Sequence, residues 1–339
     1  MKKRVFFYAH VNNLSLFTYT GFYQTDIQIL KDLGYEVYTT NSIFDFVKFW
    51  KYEITFIYFW TWGLFPAIIS KIYRKKVYFT GGIDNLDKKL NNSLVNYAKH
   101  KFFFKFCTKF SDGNIIVSQS DIYNINNTGF EISNLSLVEH VIDFDRYKYC
   151  NEPKEDIFTT ISWMGTVGNA TRKGVDKLIY IFSEFSKINP NYKLIIIGSS
   201  GLGSEYLINI VNELDLTDKI FFTGAISENE KIKYLKRSKF YFQLSKYEGF
   251  GLAPIEAMAA GNIIIHSGNG GLKYTIGNIG FKFDIDKSNS ELAVKLNEII
   301  IDENFEKIVE CGIEHIESKY SYDIRRNKID EIINGKFNG

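Results

Sequence analysis

Cysteine is scarce: Cys107, Cys150 and Cys311 are the only three among 339 residues, far apart and without CxxC or Cys/His spacing. That pattern excludes a disulfide framework and a structural zinc site, and it points to a reducing compartment. Neither sign of charge dominates. The 41 Lys and Arg against 39 Asp and Glu leave a net charge of +2, which excludes a chain that coats nucleic acid through its overall charge. The asymmetry is local: the first 150 residues hold 18 basic and 13 acidic side chains. The five histidines, at 10, 100, 140, 266 and 315, show no metal-ligand spacing and read as packing or surface residues.

A long uninterrupted apolar run is also missing. Residues 54–70 carry no charge and approach the roughly 17–25 residues that span a bilayer. Gly63 and Pro66 break the run, its first half is β-branched and aromatic, and Lys71, Arg74, Lys75 and Lys76 follow. It reads as strand, loop and helix rather than as a membrane span. The start, Met1-Lys2-Lys3-Arg4 and then an apolar stretch, meets Asn12 and Asn13 with no small-residue cleavage site. A first strand is expected there rather than a signal peptide, and a cytoplasmic protein with it.

What is present is alternation. Short apolar runs at 5–9, 36–39, 54–60, 76–80 and 114–117 are interleaved with helical patterns, and the same rhythm returns at 158–163, 192–197, 220–222, 240–243 and 262–266. Alternating strands and helices predict parallel sheets covered on both faces. With roughly 100–200 residues per domain, the expectation is an α/β protein of two Rossmann-like, doubly wound domains, 1–150 and 151–317, facing one interdomain cleft. The polar stretch 151–156 is the expected linker, and the carboxyl ends of the strands are the expected ligand site.

One segment carries the chemistry: Ser245-Lys246-Tyr247-Glu248-Gly249-Phe250-Gly251-Leu252-Ala253-Pro254-Ile255-Glu256-Ala257-Met258-Ala259-Ala260-Gly261. It follows a strand and opens a helix. Gly249 and Gly251 let a loop backbone approach a ligand, and the helix beginning near Pro254 aims unpaired NH groups at an anion such as phosphate. Glu248 and Glu256 bracket that point, where carboxylates accept hydrogen bonds from sugar hydroxyls. As an isolated pair they read equally well as a solvated loop residue and a first-turn glutamate.

The segment Glu248 to Gly261 resembles the glutamate-x7-glutamate signature of retaining GT-B glycosyltransferases of glycosyltransferase family 4, the glycosyl transferases group 1. The similarity extends through Lys173 to Ile179, Leu194 to Gly198, Ile220 to Gly224 and Gly270-Gly271, about residues 155–285, and more thinly to Ile115 to Ser118 and Val141 to Tyr147. The resemblance implies a GT-B fold in which a last helix, within about 318–339, crosses back onto the first domain. It implies a nucleotide-sugar donor, a UDP- or GDP-sugar, and no further cofactor. By that resemblance Glu256 binds the ribose hydroxyls and Glu248 the transferred sugar. Gly249, Phe250, Gly251 and Leu252 offer backbone NH groups to the sugar and diphosphate, and Gly198 and Ile226 also belong to the donor side. Lys173 neutralises the leaving diphosphate. Relatives often carry an arginine directly after the glycine that ends the preceding strand; here Thr166 follows Gly165, and Arg172 is the substitute charge considered. In the first domain Asp84, after Gly81-Gly82-Ile83, is the acceptor-side candidate, with a turn or capping role as its equal alternative. Gly21 is the candidate close-approach glycine of the first loop.

Asp143-Phe144-Asp145 and Asp284-Ile285-Asp286 have the DxD form of metal-dependent glycosyltransferases of another fold, but such triplets arise by chance, and no metal is expected. Gly198-Ser199-Ser200-Gly201-Leu202-Gly203 lacks GxGxxG spacing, which makes an NAD-dependent oxidoreductase a poor second. Residues 71–109 hold ten basic and two acidic side chains among five phenylalanines. That composition suits either an anionic membrane surface or an amphipathic core helix with solvated lysines. The expected activity is transfer of a sugar, with retention, to a hydroxyl of a glycan or lipid-linked saccharide in bacterial surface polysaccharide synthesis, peripheral to the inner face of the plasma membrane. A non-catalytic carbohydrate-binding protein of the same fold is the rival reading.

Overall fold

A computed structural model describes residues 3–87, 93–301 and 305–335. Lys88 and Lys89 of the basic segment and the last residues of the expected crossover helix lie outside the described residues. The chain forms two compact units, Met1–Ile142 with Tyr322–Gly339, and Asp143–Ser321.

The first unit is built on six strands, β1 (Arg4–Ala9), β2 (Glu36–Thr40), β3 (Ile54–Tyr58), β4 (Lys76–Gly81), β5 (Gly113–Ile116) and β6 (Leu135–Leu137). They pair in the order β2-β1-β3-β4-β5-β6, every pair parallel. The period of two explains why β1 reads as one apolar run. Val5, Phe7 and Ala9 enter one core cluster and Phe6 and Tyr8 the other, on opposite faces of the sheet. The uncharged stretch after residue 53 divides into β3, a loop and the helix Leu64–Ile72, with Gly63 as N-cap and Pro66 buried in the first turn. There the missing NH of proline costs no helical bond. Among the described residues no helix is long and apolar enough to cross a membrane.

The helix Tyr322–Ile333 belongs to the first unit through its packing. Ile329 and Ile332 share a core cluster with Val5 and Phe7. Arg325, 1% exposed, forms a two-pronged ion pair with Asp26, Nε to Oδ1 at 2.6 Å and Nη2 to Oδ2 at 2.8 Å. Its third nitrogen donates to the carbonyls of Val138 and Glu139. A buried pair with its remaining donors satisfied is tolerated in an apolar core, and removal of one partner from such a pair costs about 3–5 kcal/mol.

The second unit repeats the plan with β7 (Glu155–Ile161), β8 (Lys193–Ile197), β9 (Ile220–Gly224), β10 (Ser238–Gln243), β11 (Ile263–His266) and β12 (Phe281–Lys282). The order is β12-β11-β10-β7-β8-β9, again all parallel. This unit begins at Asp143, ahead of the polar stretch, because the segment before the stretch is anchored in it. The Tyr147 hydroxyl donates to Glu228, and the Tyr149 NH donates to the Ala259 carbonyl at 3.0 Å. The strand order reverses between β7 and β10, and open α/β sheets bind ligands beyond the carboxyl ends of strands at such a switch. The residues leaving β7 are Ser162 to Thr166, and those leaving β10 are Leu244 to Gly251.

Candidate functional site

The loop after β10 is held in shape by glycines that admit neighbouring backbone. Gly270 has φ +62, and a Cβ there would lie 2.3 Å from the Glu248 carbonyl oxygen; the Gly271 NH donates to that same oxygen at 2.7 Å. Gly174, φ +70, lies so close to the Leu244 carbonyl that a Cβ would meet it at 2.1 Å. Only a residue without a side chain permits either approach. Gly174 thus brings the turn after the helix Val167–Arg172, and Gly270 the loop after β11, against the segment that carries Glu248.

The juxtaposition pairs the expected diphosphate lysine with the expected sugar glutamate. Lys173 Nζ lies 2.5 Å from Glu248 Oε2, both side chains less than one-fifth exposed. Ser245 Oγ and Gln243 Nε2 approach the same oxygen at 3.3 and 3.4 Å. Gly249 and Phe250 continue the loop. The Phe250 carbonyl accepts from Thr275 Oγ1 at 2.7 Å, and the ring meets Tyr320 edge-on. Gly251 caps the helix Leu252–Ala259, which starts two residues before Pro254 and directs the NH groups of its first turn toward the loop.

Arg172 does not extend beside Lys173. Its Nη1 donates to the Tyr247 carbonyl at 3.0 Å, and its own carbonyl accepts from the Lys246 NH at 2.8 Å, so it braces the loop. Thr166, where relatives often have arginine, caps the helix Val167–Arg172 by accepting from the Asn169 NH.

Glu256 is the centre of a cluster that the sequence does not announce. Its Oε2 accepts from Lys231 Nζ at 2.8 Å, and Lys231 also reaches Glu228 Oε1 at 3.0 Å. The Tyr147 hydroxyl donates to Glu228, and the Lys231 ammonium sits over the Tyr147 ring, 5.3 Å from its centroid. Burial raises the Glu256 carboxyl above its ordinary value; Lys231 opposes the shift and Glu228 adds to it. Burial acts to lower the Lys231 ammonium, but Glu256 and Glu228 more than offset this and leave it raised, so it stays a cation at neutral pH. Lys231 escapes notice in the sequence because it sits in a lysine-rich helical run, Glu228–Arg237, where each lysine looks solvated.

Gly198 ends β8 with φ +147 against the Ser162 carbonyl. Ile226 packs with Tyr234 against Ile157, Ile195 and Ile197. In the first unit Gly21 opens the helix Gly21–Asp32 with nothing within 4 Å of a hypothetical Cβ, so no internal contact demands glycine there. Asp84 begins a short turn after β4 and is half-buried. Asp121, which sequence reasoning did not single out, lies nearby. Its Oδ1 accepts from the Ile83 NH at 3.1 Å, while Oδ2 is buried with no partner among the described residues. Burial, and then the charge of Asp84, push the Asp121 carboxyl up to about 8. Among the described residues no three His, Cys, Asp or Glu side chains gather as metal ligands. Asp143 and Asp145 flank Phe144 at the start of a one-turn helix, and Asp284 accepts from the Asp286 NH at 3.2 Å in a turn.

Two parallel six-stranded α/β units, the second carrying this glutamate, lysine and glycine loop, define a GT-B glycosyltransferase fold. HepE of Anabaena, solved in complex with UDP and glucose, matches 98% of this chain and 100% of its own with a TM-score of 0.77 at 16% identity. Residues 152–312, which make up most of the second unit, match the family described as Glycosyl transferases group 1. An uncharacterized glycosyltransferase of Methanocaldococcus jannaschii is 31% identical over 163 residues, 46% of this chain and 40% of that protein. The GDP-mannose:cellobiosyl-diphosphopolyprenol alpha-mannosyltransferase of Xanthomonas oryzae pv. oryzae is 29% identical over 136 residues, 40% of this chain and 35% of that protein. The matched stretch thus spans well under half the length of either relative.

Proposed function

We propose that the protein transfers a sugar, with retention of anomeric configuration, from a UDP- or GDP-sugar to a hydroxyl of a glycan or lipid-linked saccharide. The observation that carries the reading is the Lys173–Glu248 pair on a glycine-shaped loop at the N-terminus of a helix. Cleavage of the anomeric bond leaves the electron pair on the diphosphate. An ammonium within reach, released from Glu248, and the first-turn NH groups of a helix stabilise that charge without a metal. In this reading Lys173 and the NH groups of Gly251 and Leu252 hold the diphosphate, Glu248 the transferred sugar, and Glu256 the ribose hydroxyls. Gly198 and Ile226 flank the nucleoside, and Arg172 keeps the loop in place. Asp84 orients the attacking hydroxyl on the acceptor side. The UDP and glucose bound in HepE, and the name of the Xanthomonas enzyme, which gives a GDP-mannose donor and a diphosphopolyprenol-linked acceptor, support the donor and acceptor classes.

The place of action in this reading is the inner face of the plasma membrane, in surface polysaccharide assembly. Support comes from the helix Leu94–Lys109: Tyr97, Phe104 and Cys107 turn inward, while Leu94, Val95 and Phe102 are exposed beside Lys99, Lys105 and Lys109. Exposed apolar groups interleaved with cations suit an anionic lipid surface, at about 1 kcal/mol for each basic residue near it.

The deciding experiment is a thermal-shift panel with UDP, GDP, dTDP, CMP, ADP and NAD, each with and without EDTA. One nucleoside diphosphate should raise the melting temperature regardless of EDTA, since a ligand of the folded state alone stabilises it. A shift with NAD alone would favour an oxidoreductase, and no shift at all a carbohydrate-binding protein without catalysis. With the donor known, Glu256→Ala should weaken nucleotide binding and Glu248→Ala should chiefly lower turnover; wild-type kinetics in both would refute the site.

A further inference from the structure

β10 serves two masters by alternation. Phe240 and Phe242 fill the core cluster on one face, while Tyr241 and Gln243 point to the other, and Ser245 continues their line two residues on. These three polar side chains are at most 2% exposed, and they form a file. The Tyr241 hydroxyl accepts from the Ile161 NH at 3.4 Å and donates to Gln243 Oε1 at 2.8 Å. Gln243 Nε2 donates to Ser245 Oγ at 2.7 Å and reaches Glu248 Oε2 at 3.4 Å; Ser245 Oγ reaches the same oxygen at 3.3 Å. With Lys173 Nζ at 2.5 Å, three donors converge on Oε2, and none of them takes Oε1.

A strand buried on both faces is normally apolar throughout, and a buried amide is expensive unless its hydrogen bonds are made. Here they are made, and they end on the one carboxylate of the loop. A satisfied buried network fixes the orientation of its members. We propose that Gln243, backed by Tyr241 and flanked by Ser245, is a positioning residue for Glu248. It keeps Oε2 turned into the protein and leaves Oε1 for the sugar. Lys173 alone does not suffice, because a lysine is a point charge on a flexible stem and an arriving diphosphate competes for it. When the ammonium turns to the diphosphate, the amide and hydroxyl still hold the carboxylate. The inference rests on the reading above that Glu248 contacts the transferred sugar.

The test uses the full chain and whichever UDP- or GDP-sugar the wild type turns over, with kcat, KM and the Kd of the matching nucleoside diphosphate measured in parallel. Gln243→Leu, similar in volume, should lower kcat roughly 10- to 100-fold, as expected for a misplaced reacting group. Nucleoside diphosphate affinity should stay within about twofold, since Glu256 and the helix N-terminus are untouched, while the melting temperature falls modestly because the buried Tyr241 hydroxyl loses its acceptor. Tyr241→Phe, which deletes only the far hydroxyl, should lower kcat several-fold with the same unchanged affinity, and it serves if the leucine variant does not fold. Wild-type kcat in the Gln243 and Tyr241 variants, with Glu248→Gln inactive, would overturn this proposal and leave the site reading intact. A parallel loss of kcat, affinity and melting temperature would make the file merely structural and overturn it too. Full activity of Glu248→Gln, or no turnover of any donor by the wild type, would instead remove the reading on which it rests.

Discussion

Replacement of Lys231 by methionine should be far more damaging than its place in a lysine-rich surface helix suggests. The Lys231 and Glu256 side chains are 16% and 15% exposed and 2.8 Å apart. Removal of the cation leaves Glu256 without its counter-charge in a site where burial already raises its pKa. Breaking a buried pair from one side costs about 3–5 kcal/mol. For a unit of this size each kcal/mol moves the midpoint by about 2–4 °C, so calorimetry should show its transition lowered by roughly 10 °C. The deficit must depend on pH in a definite direction. A carboxyl whose folded pKa lies above its unfolded value, about 4.3 for glutamate, withdraws stability as pH rises from the lower value toward the higher. Lys231→Met should therefore approach wild type near pH 4 and fall further behind through neutrality. Addition of Glu256→Gln removes the orphaned charge, and the double variant should recover about 2 kcal/mol or more relative to the sum of the single effects. Effects that add within about 0.5 kcal/mol, or a deficit that does not change with pH, would refute the reasoning.

Asp121 offers the same sign without a partner to rescue it. Its carboxyl is raised to about 8, so Asp121→Asn should gain on wild type as pH climbs from about 4 to 8, and equal melting curves at both ends would show that the carboxyl is not held neutral. Arg325→Met should destabilise the first unit by about 3–5 kcal/mol through the abandoned Asp26; urea titration that shows less than about 1 kcal/mol would mean the pair is solvated. Vesicles that contain anionic lipid should float the protein in a salt-sensitive manner, and a triple Lys99, Lys105, Lys109→Gln variant should lose most of that binding. Flotation equal to that with neutral lipid would remove the membrane assignment.

The strands and their order of succession were readable because buried parallel strands announce themselves as apolar runs, as Val5 to Ala9 and Leu194 to Ile197 do. β6 and β12 were not, because three and two residues at a sheet edge carry too short a pattern. In the loop after β10, glutamates and glycines stand in a fixed spacing that can be read directly. The partners of those glutamates cannot. Lys231 is 25 residues from Glu256, and only the packing of two helices makes them neighbours. Lys173 is 75 residues from Glu248 and meets it because Gly174 lets the backbone approach Leu244. Gln243 left a signal of a kind, a lone amide ending the aromatic run Phe240-Tyr241-Phe242, though its partner two residues on depends on the pleat.

The pairing of Asp26 with Arg325 also has a consequence in time. The two residues are 299 apart in sequence, and at about 5–20 residues per second the ribosome needs roughly 15–60 s to pass from one to the other. Throughout that interval the nascent first unit holds a carboxylate destined for full burial and no cation to meet it, while the second unit, continuous from Asp143 to Ser321, emerges with all of its own sequence present. The unit whose strands emerge ahead of the second is thus completed after it, when the helix Tyr322–Ile333 closes it.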